Sequence, residues 1–239
     1  MAEGPIDPSD GQVRAPGTAA VRPRDSATLV LYRRRGRGIE VLMGERHGKH
    51  RFMPNRYVFP GGRVDPTDWR VRAASELTPD VAARLGRSAT PARARALAIA
   101  AIRETFEECG LLLGAPDPTP DRPVPAGWAA MFDAGFAPAL DALDYVARAV
   151  TPPYRPMRFD ARFFVADARR VAGEISGSGE LLDLRWVPIR DARDLPIPRI
   201  TEMMLGHVAD LLRAGRPRAE GRPVPLYHYR HGRHVQTRE

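Results

Sequence analysis

The chain has one cysteine, Cys109, and one lysine, Lys49, and aromatic residues make up only 7% of it. A lone cysteine excludes an intramolecular disulfide framework. No apolar run approaches the roughly 20 residues a membrane-spanning helix needs, so no membrane association is expected. The stretch Met1–Arg24 has no apolar h-region and is rich in Pro, Gly, Asp and Ala. It is expected to be a disordered leader rather than a secretory signal, and the cytoplasm is the expected compartment. The net charge of +8 comes almost wholly from arginine. Those arginines are scattered rather than gathered into one stripe interleaved with aromatics, so nucleic acid is not the expected partner. With abundant Ala, Pro and Gly, the arginine bias fits GC-rich coding better than selection for a polyanion. The same field favours small phosphate-bearing molecules. At 239 residues and 43% apolar content, one decorated domain with a sizeable core is expected.

What the chain does have is Arg103-Glu104-Thr105-Phe106-Glu107-Glu108-Cys109-Gly110, preceded by Phe59-Pro60-Gly61-Gly62. On a helix, Glu104, Glu107 and Glu108 fall within an arc of roughly 100°, with Ile102, Phe106 and Cys109 on the opposite side. Like charges at i, i+4 cost an isolated helix about 0.2–0.5 kcal/mol per pair. A hard divalent cation such as Mg²⁺ or Mn²⁺ would offset that repulsion. A solvated helix face is the bland alternative for three glutamates alone; the arginine and the upstream glycine pair favour a metal and phosphate site. Cys109 lies on the apolar side and is expected to be a packing residue.

These residues resemble the Nudix box, G-x5-E-x7-R-E-U-x-E-E-x-G-U with U apolar. Gly62 matches its first glycine and Arg103–Leu111 its second half, with Thr105 at the first U. Asp68 stands where the pattern has glutamate, and Arg103 comes 27 residues later than the plain spacing requires. An insertion at that point, after F-P-G-G-x-x-D-P-x-D, is similar to the Nudix branch that includes animal coenzyme A diphosphatases, as is the run Arg158–Phe164. The resemblance spans about residues 26–215. It implies an α/β fold, the Nudix α/β/α sandwich with a mixed central sheet and helical insertions. It also implies hydrolysis of a pyrophosphate linkage in a nucleoside diphosphate derivative, with coenzyme A or an acyl-coenzyme A as one substrate class.

By the same resemblance, Glu104, Glu107 and Glu108 are the metal ligands, with the Gly62 carbonyl a further candidate. Arg103 would fix the carboxylate rotamers, and Asp68 would form a structural salt bridge. Glu104 is the candidate base within the box; Glu180 and Glu174, in and beside the loop at residues 173–179, are the candidates outside it. Phosphate contacts are expected from Arg46, Arg56, His47 or Lys49, and close backbone approach at Gly61. Arg46 stands where the coenzyme A branch carries a motif arginine, although His50–Tyr57 departs from that motif. A non-catalytic Nudix-fold nucleotide-binding or regulatory module is the alternative function. Many relatives dimerise, so a homodimer is one arrangement open to the chain.

The expected organisation is a leader at 1–24, a Nudix domain at 25–215 with insertions at about 69–90 and 114–156, and a basic tail at 216–239. Ser26–Tyr32 and Ile39–Met43 are expected as a hairpin around Gly36–Gly38. Tyr57–Phe59 is a third strand, and Asp65 a turn residue. Thr78-Pro79 and Thr90-Pro91 are start signals for a short helix over Pro79–Leu85 and for a long one ending at Gly110. Helical stretches are expected near Trp128–Ala134 and Ala139–Ala149. Strands are expected at Arg162–Val165 and Leu184–Val187, and an amphipathic helix over Ile200–Leu212. Leu226–Val235 is either an edge strand or loose chain.

Overall fold

A computed structural model describes residues 13–15, 17–49, 53–117, 119, 123–215 and 221–239. Parts of the expected leader (1–12 and 16), of the loop before Tyr57 (His50, Arg51 and Phe52), of the proline-rich stretch (118 and 120–122) and of the tail (216–220) lie outside the described residues.

The chain opens with β1 (Arg24–Arg35), β2 (Gly38–Arg46), β3 (Tyr57–Val58) and β4 (Gly61–Arg63), then α1 (Pro79–Gly86) and α2 (Pro91–Cys109). A small excursion follows, β5 (Gly114–Pro116), α3 (Ala129–Asp133) and β6 (Phe136–Pro138), before β7 (Asp144–Val150), β8 (Phe159–Asp167) and β9 (Leu181–Pro188). The last elements are α4 (Arg199–Arg213), β10 (Pro225–Arg230) and β11 (Arg233–Arg238). The main sheet is mixed, in the order β11-β10-β7-β8-β1-β2-β3, with β4 added beside β1 and β9 beside β2. β1 runs parallel to β8 and antiparallel to β2 and β4.

One face of the sheet packs under α1 and α2, through residues such as Leu29, Leu31, Leu97, Ala101 and Phe164. The other packs under α4, through Val30, Met43, Val165, Met204 and Val208. Leu29 and Leu31 face one layer and Val30 the other, as strand alternation requires. The result is an α/β/α sandwich, as expected.

α2 follows its sequence signals closely. The Thr90 hydroxyl accepts from the Arg93 N–H at 3.3 Å, Pro91 sits in the first turn, and Gly110 ends the helix at φ 71°, which a side chain would disfavour. Its alanines 94, 96, 98, 100 and 101 are buried and let the helix lie close on the sheet. The charged face is buried too: Arg103 and Glu108 are enclosed, and only Glu107 of the three glutamates is exposed.

The region Ala139–Ala149 corrects an expectation. It forms a 3-10 turn at Leu140–Ala142 and then β7, with no α-helix. Alanine content suggested a helix, but β7 lies between β8 and β10, and Tyr145 and Val146 bury against opposite layers. Tertiary context outweighs propensity there. The segment expected as a basic tail also joins the sheet, where β10 pairs in parallel with β7 at Leu226 and Tyr227.

β9 carries an irregularity. Its register against β2 shifts by one between Met43 and Glu45, and Asp183 takes φ 45° with its carboxylate bonded to the Tyr57 hydroxyl. The extra residue resets the alternation, so Leu181, Leu184 and Trp186 all face the α2 layer while Leu182 is exposed.

Candidate active site

Two elements bring the box together. β4 pairs with β1 through Ala27–Gly62 and Thr28–Gly61, which holds the glycine turn against the sheet. α2 lays its last turns over that turn. The Gly61 N–H donates to Glu108 Oε2 at 2.9 Å. A Cβ on Gly62 would fall on the Glu104 carboxylate, and one on Gly61 would stand 2.5 Å from the Ala27 carbonyl oxygen and 2.7 Å from Thr28 Cα. Backbone crowding requires glycine at Gly61, and at Gly62 a side chain would displace the Glu104 carboxylate.

Arg103 organises the acids around it. Its Nε and Nη2 donate to the two oxygens of Asp68 at 2.9 and 3.1 Å, and Nη2 also reaches the Arg63 carbonyl at 2.8 Å. Nη1 meets Glu107 at 2.8 Å and Glu104 at 3.0 Å. Asp68 is fully buried and accepts from the Asp65 N–H at 2.8 Å. The Asp65 carboxylate in turn accepts from the N–H and hydroxyl of Thr67, a compact Asx turn. The aspartate in place of the pattern's glutamate thus reaches the arginine bidentately.

Electrostatics mark the same place. Burial pushes the Glu104 carboxyl up to about 7, against the pull of Arg103 and with help from Glu107. Burial pushes Glu108 up to about 8, against the Gly61 hydrogen bond and with repulsion from Glu104. Perturbed carboxylates of this kind concentrate at functional sites. The Cys109 thiol is pushed up to about 12 by burial and the Glu108 charge, which suits a packing residue and not a nucleophile.

Among the described residues, no three His, Cys, Asp or Glu side chains converge on a common point as a ready cage. Arg103 and the Gly61 N–H hold the glutamates instead. The donor set is nonetheless what a hard divalent ion takes: carboxylate oxygens at i, i+3 and i+4, with Glu108 buried and Glu104 half-buried.

The carboxylates open into a cleft of about 1880 Å³. Arg46, His47, Lys49 and Glu180 line it together with Gly61, Gly62 and the three box glutamates. Arg46 is half-buried; desolvation lowers its proton affinity, against the charges of Glu108, Glu104 and Glu180. Glu180 is brought there by the His47 N–H, which donates to its carbonyl at 3.2 Å. Two other candidates are not brought in. Arg56 is outside the cleft lining; its carbonyl accepts from the Arg46 N–H at 2.9 Å and closes the β2–β3 pair. Glu174 is outside it as well, because its stretch of loop packs against the end of α2 at Gly110.

Sequence reasoning missed the far wall. Tyr154, His234 and Tyr227 line the cleft, and Tyr154, Tyr229 and His234 form an edge-to-face ring cluster with centroids 5.1–6.3 Å apart. The Tyr154 hydroxyl lies 3.0 Å from His234 Nε2. These residues come from segments about 75–80 positions apart and carry no local motif; only an expected β10–β11 pairing could have flagged them.

No family model matches the chain. Acyl-coenzyme A diphosphatase NUDT19 of Xenopus laevis is 35% identical over 100 residues, covering 33% of this chain and 26% of that protein. The chain thus spans about a quarter of the length of the curated relative it matches. A solved Nudix hydrolase from Alicyclobacillus acidocaldarius is 32% identical, with a TM-score of 0.60, over 77% of this chain and 90% of that one. Sandwich topology, the paired glycine turn and glutamate helix, and identity sustained over nearly the whole of a solved relative lead to one conclusion: the chain belongs to the Nudix hydrolase family.

Proposed function

We propose that this protein hydrolyses the pyrophosphate linkage of a nucleoside diphosphate joined to a second moiety, using Mg²⁺ or Mn²⁺. The observation that carries the reading is the pair of carboxylates, half-buried Glu104 and buried Glu108, pressed against the Gly61-Gly62 turn in the wall of a large cleft. Glu104, Glu107 and Glu108, with the Gly62 carbonyl, would hold the ion. Bound there, it would neutralise phosphoryl charge and acidify a water molecule. Arg103 positions the acids through its fork, and Asp68 holds Arg103. Arg46 faces the phosphates with Lys49 beside it. Glu104 and Glu180 both reach the cleft and are the two candidates for the base that takes the water proton.

Coenzyme A or an acyl-coenzyme A is the favoured substrate class. It is supported by the F-P-G-G-x-x-D-P-x-D form of the glycine turn, the insertion before Arg103, and the partial similarity to an acyl-coenzyme A diphosphatase. Apolar side chains such as Met53, Phe163, Ile200 and Met203 in the cleft wall suit an acyl or pantetheine arm.

The test is hydrolysis of coenzyme A, acyl-coenzyme A, ADP-ribose, NADH and nucleotide sugars with Mg²⁺, Mn²⁺ or EDTA, with products identified by mass. Metal-dependent release of 3′,5′-ADP from coenzyme A, lost in Glu107→Gln and Glu108→Gln, is the expected result. Turnover of another substrate alone would discard the coenzyme A assignment. Silence across the panel with tight nucleotide binding would leave a non-catalytic module.

A further inference from the structure

The cleft continues well beyond the glutamates, along one face of β1 and β8. Arg24, Ser26 and Thr28 alternate onto it, and Thr28 stands opposite Gly61 in the β1–β4 ladder. At about 3.3 Å per residue, Arg24 lies ~13 Å along the strand from the glycine turn. That is further than a pyrophosphate reaches and within range of the moieties attached to it. Arg24 is level with Phe159 of β8, so Arg158 is its neighbour across the ladder. Arg233 of β11 lines the cleft as well.

The charges of these cleft-lining cations are unmatched by carboxylates among the described residues. Arg158 donates from Nε to the Thr151 carbonyl at 2.9 Å and from Nη1 to the Val21 carbonyl at 2.8 Å. Two carbonyls fix the guanidinium without neutralising it. Asp25 and Asp160, the acids nearest in sequence, alternate onto the opposite face of their strands. There Asp25 binds Arg93, and Asp160 binds Arg148 and Arg162. Among the described residues, no carboxylate pairs with Arg24, Arg158 or Arg233, and the acids lining the cleft are Glu104, Glu107, Glu108 and Glu180. Burial and the nearby Arg14 charge lower the proton affinity of Arg158, as expected where positive charge is concentrated without a counter-ion. The ring cluster of Tyr154, Tyr229 and His234 ties β10–β11 to the loop carrying Arg158, so this wall is formed in advance of any ligand.

Resting on the reading of the cleft as a nucleotide site, we propose that its Arg24–Arg158 end is a second anion subsite. It takes a phosphomonoester carried on the part of the substrate remote from the scissile linkage. Substrates with that group are preferred over otherwise identical ones without it. A guanidinium matches such a dianion in charge and in fork geometry.

The experiment is calorimetric binding of adenosine 3′,5′-bisphosphate against 5′-AMP, without turnover, to the wild-type chain and to Arg24→Ala and Arg158→Gln. The wild type should favour the bisphosphate by at least about tenfold, the scale of one charge-assisted hydrogen bond, and each variant should narrow that ratio. Arg158→Gln removes two loop contacts; if it fails to fold, Arg24→Ala decides. Equal affinities in the wild type, no measurable binding of either nucleotide, or a ratio unchanged in the folded variants overturns the subsite. Matched hydrolysis of coenzyme A against 3′-dephospho-coenzyme A, and of NADPH against NADH, then separates a 3′- from a 2′-phosphate. A binding preference without any hydrolysis would sink the proposed activity and leave the subsite standing.

Discussion

Glu108 has two opposed environments. Burial and Glu104 disfavour its charge, and the Gly61 N–H favours it. The folded state therefore holds its proton more tightly than the unfolded chain, whose glutamates titrate near 4.5. Stability from this group is full below about pH 4.5 and is lost as the pH rises toward about 8. In metal-free protein at pH 8.5 or above, Glu108→Gln should therefore melt higher than the wild type, with the gap closing at pH 5. Adding Mg²⁺ at the high pH should raise the wild type and leave the variant. A variant that melts lower at every pH would contradict this account. Asp68 makes the opposite case: removing it leaves the buried Arg103 fork without its bidentate partner. Loss of one partner from a buried ion pair costs about 3–5 kcal/mol. Glu104 and Glu107 remain on Arg103, so Asp68→Ala should fall near the lower end by urea denaturation.

At the scale of elements, α2 was legible because its ends are local: Thr90 and Pro91 start it, Gly110 stops it, and the glutamates between are spaced for one face. Gly110 has a second duty, since a Cβ there would also collide with Ser176 and crowd the Glu174 carbonyl. Gly110→Ala should cost about 1–2 kcal/mol for the left-handed backbone alone, and it should raise proteolytic cleavage within residues 173–179. Unchanged stability would mean that this loop does not rest on the helix end. β7 was not legible, because its alanines carry a helical signal and only its position between two strands reveals it. Nor were the buried arginines, Arg84 against Asp144 and Arg162 against Asp160: composition says surface, and the partners lie in other elements. The box residues were legible as a group because four of them share one helix. Arg56 was not placed correctly, since adjacency in sequence to the glycine turn does not fix which way a loop faces.

For the whole molecule, the excess positive charge and the acidic glutamate cluster act over different ranges. On the proposed function, the net charge of +8 would draw an anionic substrate toward the cleft, while the local carboxylates would hold a cation. Encounter electrostatics weaken with salt over a Debye length of about 8–10 Å near physiological ionic strength. At saturating Mg²⁺, kcat/KM should fall as KCl rises from about 50 to 500 mM, across which the screening length shortens severalfold, while kcat changes little. An unchanged kcat/KM would show that the net charge has no part in capture. Among the described residues no helix is long and apolar enough to cross a membrane.

The extra residue in β9 gives that strand a phase. Residues before Asp183 are half a repeat out of step with those after it, with Leu181 inward and Glu180 at the cleft rim. Deleting Asp183 would remove the surplus residue and leave a regular ladder, with Leu182 still opposite Glu45, Leu181 still inward and Glu180 still at the rim. Turnover should therefore survive that deletion. If Glu180 takes the water proton, Glu180→Gln should abolish turnover in a chain that still folds. Retained turnover in Glu180→Gln would assign the proton to Glu104. One residue's worth of slip thus works as an absorber: it takes up a surplus residue without changing which side chain faces the reaction.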